Sequence, residues 1–436
     1  MRDPEGEKPF DVLTLTLLVI ASMIGAGVYT TSGFALADLR DPWLVLLAWT
    51  VGGFIAVCGA VGYAQLAERL TENGGEYLYL SRFAHPAAGF SAGWVSFLAG
   101  FTGAGAYAAV AFETYLLPEE FRSDWLPAKS PALMLVVAAT LSHAFNSRYG
   151  ARSQNGIVVC KLGLLAALLL YAFFRIGSWQ GGESLPGDES NSHVTVLSFA
   201  TSVMWISLSY CGFNAAIYVA GEARDGSKSI RRAMVLGTVV VTVIYLLLNA
   251  FIVFAPRPEQ IAGEPDVAAI AARSVGGNAL EVITRGAICL GLASSVSSVL
   301  MSGPRVYAKM AADGYFPRFF ASTQSPPVRS VFLQGIAIML VISISTLQGL
   351  LSYLGMTLAL SAAATVSTLF IGSWDRSNLV DRVLRGMALI FVLATLLIAG
   401  LAAWNKPIEG IAALVTLCVG GVVYLLTRHD HISGES

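Results

Sequence analysis

Ile24-Gly25-Ala26-Gly27-Val28 stands in the middle of the first long apolar segment of this chain. Glycine costs about 1 kcal/mol relative to alanine in a helix interior. An N–H group left unpaired at bilayer depth is costlier still. Two glycines in three residues therefore predict a helix broken at the centre of a membrane span, with bare backbone free to hold a ligand. The other use of such a run is a close helix–helix contact, which small residues permit.

The rest of the chain places that break in a membrane. Of 436 residues, 55% are hydrophobic and 13% charged, and the mean hydropathy is +0.67. This excess comes in blocks of spanning length and predicts an all-α integral membrane protein with about twelve transmembrane helices. The spans read as 11–37, 43–66, 87–117, 131–147, 154–175, 195–221, 233–255, 280–311, 328–346, 350–372, 383–403 and 408–427. Nineteen of the 27 Lys and Arg residues fall on the N-terminal side of this layout, which assigns that side to the cytosol. An even number of spans then puts both termini there, in a multi-pass protein of the plasma (inner) membrane.

The polar N-terminus, residues 1–10, lacks a cleavage site and reads as a cytosolic tail. Residues 11–427 read as one transmembrane domain and 428–436 as a second cytosolic tail. A net charge of −1 without a basic tract predicts no nucleic-acid partner. Cys58, Cys160, Cys211, Cys289 and Cys418 all lie in apolar segments with no CxxC pair, so neither a metal nor another cofactor is expected. Among the long connections, 256–279 contains a short helix, Asp266 to Ser274, expected to lie across the outer mouth.

The sixth span carries a second interruption, Ser207-Leu208-Ser209-Tyr210-Cys211-Gly212-Phe213-Asn214. Spans 1 and 6 correspond if two five-helix repeats, about 11–175 and 195–372, are inverted relative to each other, with two further helices at 383–427. Paired broken helices in matching positions point to a secondary transporter's binding site. The N-terminal end of a half-helix offers N–H groups and partial positive charge, which suit a carboxylate. The C-terminal end offers carbonyls, which suit an ammonium group. Ala26, Gly27 and Val28 supply the first set; Leu208, Ser209 and Cys211 supply the second. An α-amino acid fits between them.

Met23-Ile24-Gly25-Ala26-Gly27-Val28-Tyr29 resembles the first-helix G-[SA]-G-[IV]-[FY] motif of the amino acid–polyamine–organocation superfamily. Tyr63-Ala64-Gln65-Leu66 with Asn73-Gly74-Gly75-Glu76-Tyr77 resembles its Y-A-E-L…G-G-E-Y stretch. Ser302-Gly303-Pro304-Arg305-Val306 with Ala312-Asp313-Gly314-Tyr315-Phe316-Pro317 is similar to the end of its eighth helix and the next loop. Tyr210-Cys211-Gly212-Phe213-Asn214, with Val219 and Glu222, is similar to the Y-x-G-W-N…V-x-E-E pattern of L-type transporters, with two departures. Leu208 stands where a bulky aromatic gate is usual, and Phe213 where tryptophan is usual. The resemblance implies a leucine-transporter-like fold with five-plus-five inverted repeats and broken helices 1 and 6. It assigns substrate contacts to Ile24 through Val28 and to Leu208 through Asn214. The loop 118–130 lacks the cysteine that tethers animal L-type transporters to a partner subunit, so no covalently linked heavy chain is expected.

Lys161 lies about two turns into the fifth span, and an intramembrane lysine marks a functional site by default. Its nearness to the cytosolic end leaves snorkelling as the other reading. The resemblance implies that its ammonium takes the place of a sodium ion. It would meet carbonyls near Ser22 or Gly25 and the hydroxyls of Ser294, Ser295 and Ser298 on helix 8. Proton loss and regain at this lysine would then couple to the cycle.

Other polar residues rank lower. Glu113 reads as a solvated outer residue or an attractor of cations, and His143 as a packing histidine. Gly103 and Gly105 either leave room beside the pocket or pack. No carboxylate is expected near either break, which favours a neutral substrate. The chain thus reads as a sodium-independent permease for neutral L-amino acids, coupled to protons or working by exchange. Polyamine, organic-amine or cationic amino acid transport is the alternative, and a transport-inactive nutrient sensor a remote one. No HExxH, G-x-S-x-G or paired intramembrane aspartate suggests an enzyme.

Overall fold

A computed structural model describes residues 10–70, 72, 75–118, 122, 126–145, 150–185, 195–312, 318–321, 327–371 and 379–432. At 150–159, 222, 309, 312, 318 and 426–432 it describes the backbone alone. The tails through residue 9 and from 433, Asn73 and Gly74, Asp313 to Pro317, residues 119–121 and 123–125 of the 118–130 loop and the Glu222 side chain lie outside the described residues.

The first apolar segment folds as two helices, α1 (Val12–Met23) and α2 (Gly27–Leu39), bent by 43° at the glycine run. The chain returns as α3 (Pro42–Arg69), and a short α4 (Gly75–Phe83) leads into α5 (Pro86–Leu116). α6 (Ser130–Phe145) and α7 (Gly150–Phe174) follow. α8 (Val196–Tyr210) gives way to a turn and a 3₁₀ stretch, Ala215–Glu222. The remaining helices are α9 (Ser227–Phe254), α10 (Val267–Ala312), α11 (Val328–Ile344), α12 (Leu347–Ser367), α13 (Leu379–Asn405) and α14 (Pro407–Ile432). No strand forms among the described residues; Phe10 and Ala223 make an isolated bridge.

Short polar side chains set where helices begin. The carboxylates of Asp11 and Asp41 accept from the N–H groups of Thr14 and Trp43 at 2.8 and 2.7 Å, and Pro42 occupies the first turn of α3. The hydroxyls of Thr195 and Thr346 do the same for Ser198 and Gly349, each at 3.1 Å.

Among the described residues, eight helices are long and apolar enough to cross a membrane, or nine spans with α1 and α2 taken as one bent span. α6, α11 and the Cys160–Phe174 part of α7 are apolar but shorter. Leu393, Leu397, Ile411 and Leu414 on α13 and α14 face outward, a surface suited to hydrocarbon and unsuited to water. Together these features make the chain an all-helical multi-pass membrane protein.

Contacts between distant turns define two sides of the bundle. On the N-terminal side Arg231 pairs with Glu68 at 2.8 Å, and Arg69 donates to the Leu369 carbonyl at 3.0 Å. On the opposite side Asn405 donates to Thr201 at 3.0 Å and Lys129 to the Ser345 carbonyl at 3.0 Å. The expected short helix begins at Val267, where α10 starts, and α10 then breaks at Gly277 (φ 65°, ψ −165°). Its leading segment rests on α2. Gly263 N–H donates to the Gly33 carbonyl at 2.8 Å, and a Cβ on Gly33 would lie 2.7 Å from Val267 and also meet the Glu264 carbonyl.

Candidate functional site

The first break leaves a run of backbone donors without acceptors. α1 ends when Ile24 N–H bonds to the Ile20 carbonyl at 3.2 Å, and α2 restarts when Tyr29 N–H bonds to the Ala26 carbonyl at 3.1 Å. Between them the N–H groups of Gly25, Ala26, Gly27 and Val28 meet no acceptor among the described residues. Four such groups at the start of a 13-residue helix present partial positive charge, an arrangement of the kind that suits an anion. The carbonyls beside them are engaged: Met23 accepts from the Tyr245 hydroxyl at 2.6 Å, and Ile24 from the Lys161 ammonium.

The two glycines of the run do different work. A Cβ on Gly25 would find nothing closer than 3.9 Å, so open space lies over it. A Cβ on Gly27 would collide with the Ser209 side chain and lie 3.2 Å from Ser209 Cα, so here α2 packs directly on α8. The close-contact reading of the small-residue run thus describes Gly27, while Gly25 is uncrowded.

The second break faces the first. Gly212 adopts φ +105°, which suits glycine, and a Cβ there would lie 2.7 Å from the Ser22 carbonyl oxygen. Of the expected carbonyls, Leu208 accepts from Cys211 N–H at 3.1 Å and Ser209 from the Tyr245 hydroxyl at 3.0 Å. The carbonyls of Tyr210 and Cys211 have no donor among the described residues. A carbonyl oxygen carries two lone pairs, so even the engaged ones keep acceptor capacity. The Ser209 hydroxyl is buried without a partner.

Two residues of the second break turn away from the first. The Tyr210 ring packs on Trp49 and Tyr245, with its hydroxyl donating to the Trp49 carbonyl at 3.1 Å. The Phe213 ring packs edge-on against Tyr63 and Phe391. Both side chains are held by α3, α9 and α13, because those neighbours offer the glycines and rings that close around an aromatic (Gly52 and Gly53 at Tyr210, Gly59 at Phe213). Their backbone, and not their rings, faces the site. On this same far face lies a small cavity of about 50 Å³, lined by residues including Ile55, Met204, Leu358 and Ile398.

Lys161 extends from α7 to the Ile24 carbonyl, with its stem 3.3 Å from where a Cβ on Gly291 of α10 would sit. No hydrogen bond joins it to Ser294, Ser295 or Ser298 among the described residues, and Ser295 donates instead to the Gly291 carbonyl at 3.1 Å. The Ser22 carbonyl lies under Gly212 and not at the ammonium.

Three groups escaped the sequence reading. Tyr245 on α9 joins carbonyls of both breaks, yet nothing in its apolar surroundings distinguishes it except a hydroxyl in a long hydrophobic run. A chain of bonds runs from Trp49 Nε1 to Ser32 (2.9 Å), then Asn249 (2.6 Å), then the Tyr245 carbonyl (2.8 Å), tying α2, α3 and α9 together. Glu76 is the third. No carboxylate was expected near a break, but α4 brings this one to Asn214, whose Nδ2 donates to it at 3.1 Å. The fold makes that proximity; a separation of 138 positions hides it in the sequence.

Lesser candidates resolve as structure. Glu113 is buried, pairs with Arg122 and accepts from Lys129 N–H at 2.9 Å, so it is neither solvated nor open to substrate. His143 hydrogen-bonds Ser297 at 2.8 Å. Gly103 packs on Leu354 and Gly105 on Ile338, leaving no room beside them.

Residues 10–424 match the family described as amino acid permease. The chain is 23% identical over 430 residues to the human "Large neutral amino acids transporter small subunit 2", covering 96% of this chain and 80% of that one. It is 25% identical to the Bacillus subtilis "Serine/threonine exchanger SteT" over 71% of this chain and 70% of that protein. To the mouse "Asc-type amino acid transporter 1" it is 22% identical over 86% and 72%. With a broken-helix site in its core and the family match over nearly its whole length, the chain belongs to the amino acid permeases of the APC superfamily.

Proposed function

We propose that this protein carries neutral L-amino acids across the plasma membrane by alternating access. Twelve spans with cytosolic termini form two inverted repeats, about 11–175 and 195–372, with 383–427 packed outside them. The observation that carries the reading is the run of four unpartnered N–H groups, Gly25 to Val28, beside a second break that presents the carbonyls of Tyr210 and Cys211. A zwitterion's carboxylate sits on the first set and its ammonium near the second. The open space over Gly25 receives the substrate. Leu208, Ser209, Cys211, Gly212 and Asn214 complete the wall.

A neutral side chain is favoured because Glu76, the carboxylate beside the second break, has both oxygens engaged by neutral donors of the protein. Neutral amino acids are also what the names of the human relative, and serine and threonine what that of the Bacillus one, specify. Lys161 occupies the Ile24 carbonyl with a fixed positive charge, which supports transport independent of sodium, by exchange or with protons. In the rocking motion, α1, α2, α3, α8 and α9 move together, linked through Tyr245, Trp49 and Tyr210. No covalent heavy chain is required.

Purified protein in liposomes tests this. Labelled neutral amino acids are expected to enter equally with sodium or choline outside, and amino acid amides, which lack the carboxylate, to compete poorly. Lys161→Ala is expected to abolish flux. Dependence on a sodium gradient, or full competition by amides, would overturn the corresponding part of the reading.

A further inference from the structure

Glu76, Glu113 and Asp266 are the buried acids among the described residues. Glu113 pairs with Arg122 and Asp266 with Arg285. Glu76 is equally buried, but no Lys, Arg or His pairs with it among the described residues. Its carboxylate is held by neutral donors from three separate elements. Oε1 accepts from the Tyr63 hydroxyl of α3 and from Asn214 Nδ2 at 3.1 Å, and Oε2 accepts from the Ser361 hydroxyl of α12 at 2.9 Å. α4 itself lies outside the spanning helices, between α3 and α5. The helix that carries the acid thereby closes on the second break.

An unpaired buried carboxylate is a poor anion, because removal from water penalises its charged form. The site also accommodates the neutral form. A serine hydroxyl accepts as well as donates, so a proton on Oε2 can point at Ser361 while Tyr63 and Asn214 keep their bonds to Oε1. Among the described residues, the titratable groups facing Glu76 are Tyr63 from α3 and Cys211 and Tyr218 from the chain after α8, none charged near neutral pH. α12 contributes only the hydroxyls of Ser361 and Thr365, and Arg82 on α4 points instead to Glu72, 3.7 Å away.

We infer that Glu76 is a proton-binding site of the transport cycle. It takes up a proton from water when α4 docks against the Asn214 break and returns it when α4 separates. This deepens the reading of the chain as an amino acid transporter and rests on it for the word transport. Burial pushes the Glu76 carboxyl above the usual carboxylate range, against the Tyr63 and Ser361 hydroxyls, which pull it down. The docked arrangement thus binds the proton more tightly than the separated one. Its added stability is fully present below the ordinary carboxylate range and is lost as pH rises through the raised value.

Two pH profiles test this. Thermal melting of purified wild-type protein in detergent, without substrate, is expected to fall as pH rises above the ordinary carboxylate range more steeply than that of Glu76→Gln, which mimics the neutral form. Liposome uptake of a neutral amino acid is expected to vary with pH in the wild type and to be flat in Glu76→Gln. Glu76→Asp is expected to restore a sloping profile. Should the Gln variant fail to fold, Tyr63→Phe and Ser361→Ala each remove a bond to the charged form and are expected to raise the midpoint. A wild-type melting profile kept by Glu76→Gln, or midpoints unmoved in both hydroxyl variants, overturns the inference. If no amino acid moves at any pH while the melting difference stands, the proton site survives and the transport reading falls.

Discussion

Gly25 and Gly27 are two residues apart and face opposite demands. Gly25 has empty space where a side chain would project; Gly27 has Ser209 there. Gly25→Ala is therefore expected to fold with unchanged melting temperature but to weaken substrate binding at least tenfold, because its methyl group enters the space a carboxylate needs. Gly27→Ala is expected to destabilise the protein by about 1–3 kcal/mol through overpacking against α8. Thermal shift with and without neutral amino acids separates the two outcomes; equal behaviour of the pair would remove the distinction. The sequence shows both glycines plainly. It cannot show which one meets a neighbour, since Ser209 arrives from 182 positions away.

Helix breaks are legible when composition forces them. The bends at the glycine run and after Tyr210 combine small or polar residues with spanning-length apolar flanks, and both occur where expected. Side-chain direction is less legible: Tyr210 and Phe213 belong to the expected wall, yet rings on α3, α9 and α13 draw them to the far face. The kink in α10 is a third kind of break. Gly277 adopts a backbone region that is essentially reserved for glycine, at φ 65° and ψ −165°. Gly277→Ala is expected to cost about 1–3 kcal/mol of stability and to loosen the segment that leads from Val267. A melting temperature equal to wild type would show that α10 tolerates straightening.

At the scale of the whole molecule, contacts on the side opposite the N-terminus tie α2 to its neighbours. Gly33 touches the segment before Val267, Thr30 bonds Tyr107, and the Tyr115 hydroxyl donates to the Tyr29 carbonyl at 2.6 Å. A bulky residue at position 33 cannot coexist with that contact. Gly33→Leu is expected to hold this side open and to lower exchange at least tenfold while leaving substrate binding measurable. Exchange at the wild-type rate would mean that the contact is dispensable. The all-helical membrane class, the two breaks and family membership were readable from hydropathy and motifs. The stitching among spans was not, because Tyr245, Trp49 and Glu76 act through partners that only the folded chain brings near.

Tyr245 holds two carbonyls, Met23 and Ser209, with one hydroxyl. A phenol has a single hydrogen, so at any instant it satisfies one of them fully and leaves the other short-changed. The two half-helices are rivals for the same atom. When either shifts by a fraction of an ångström the hydrogen goes to its competitor, and news of the move reaches the other break before any helix has tilted.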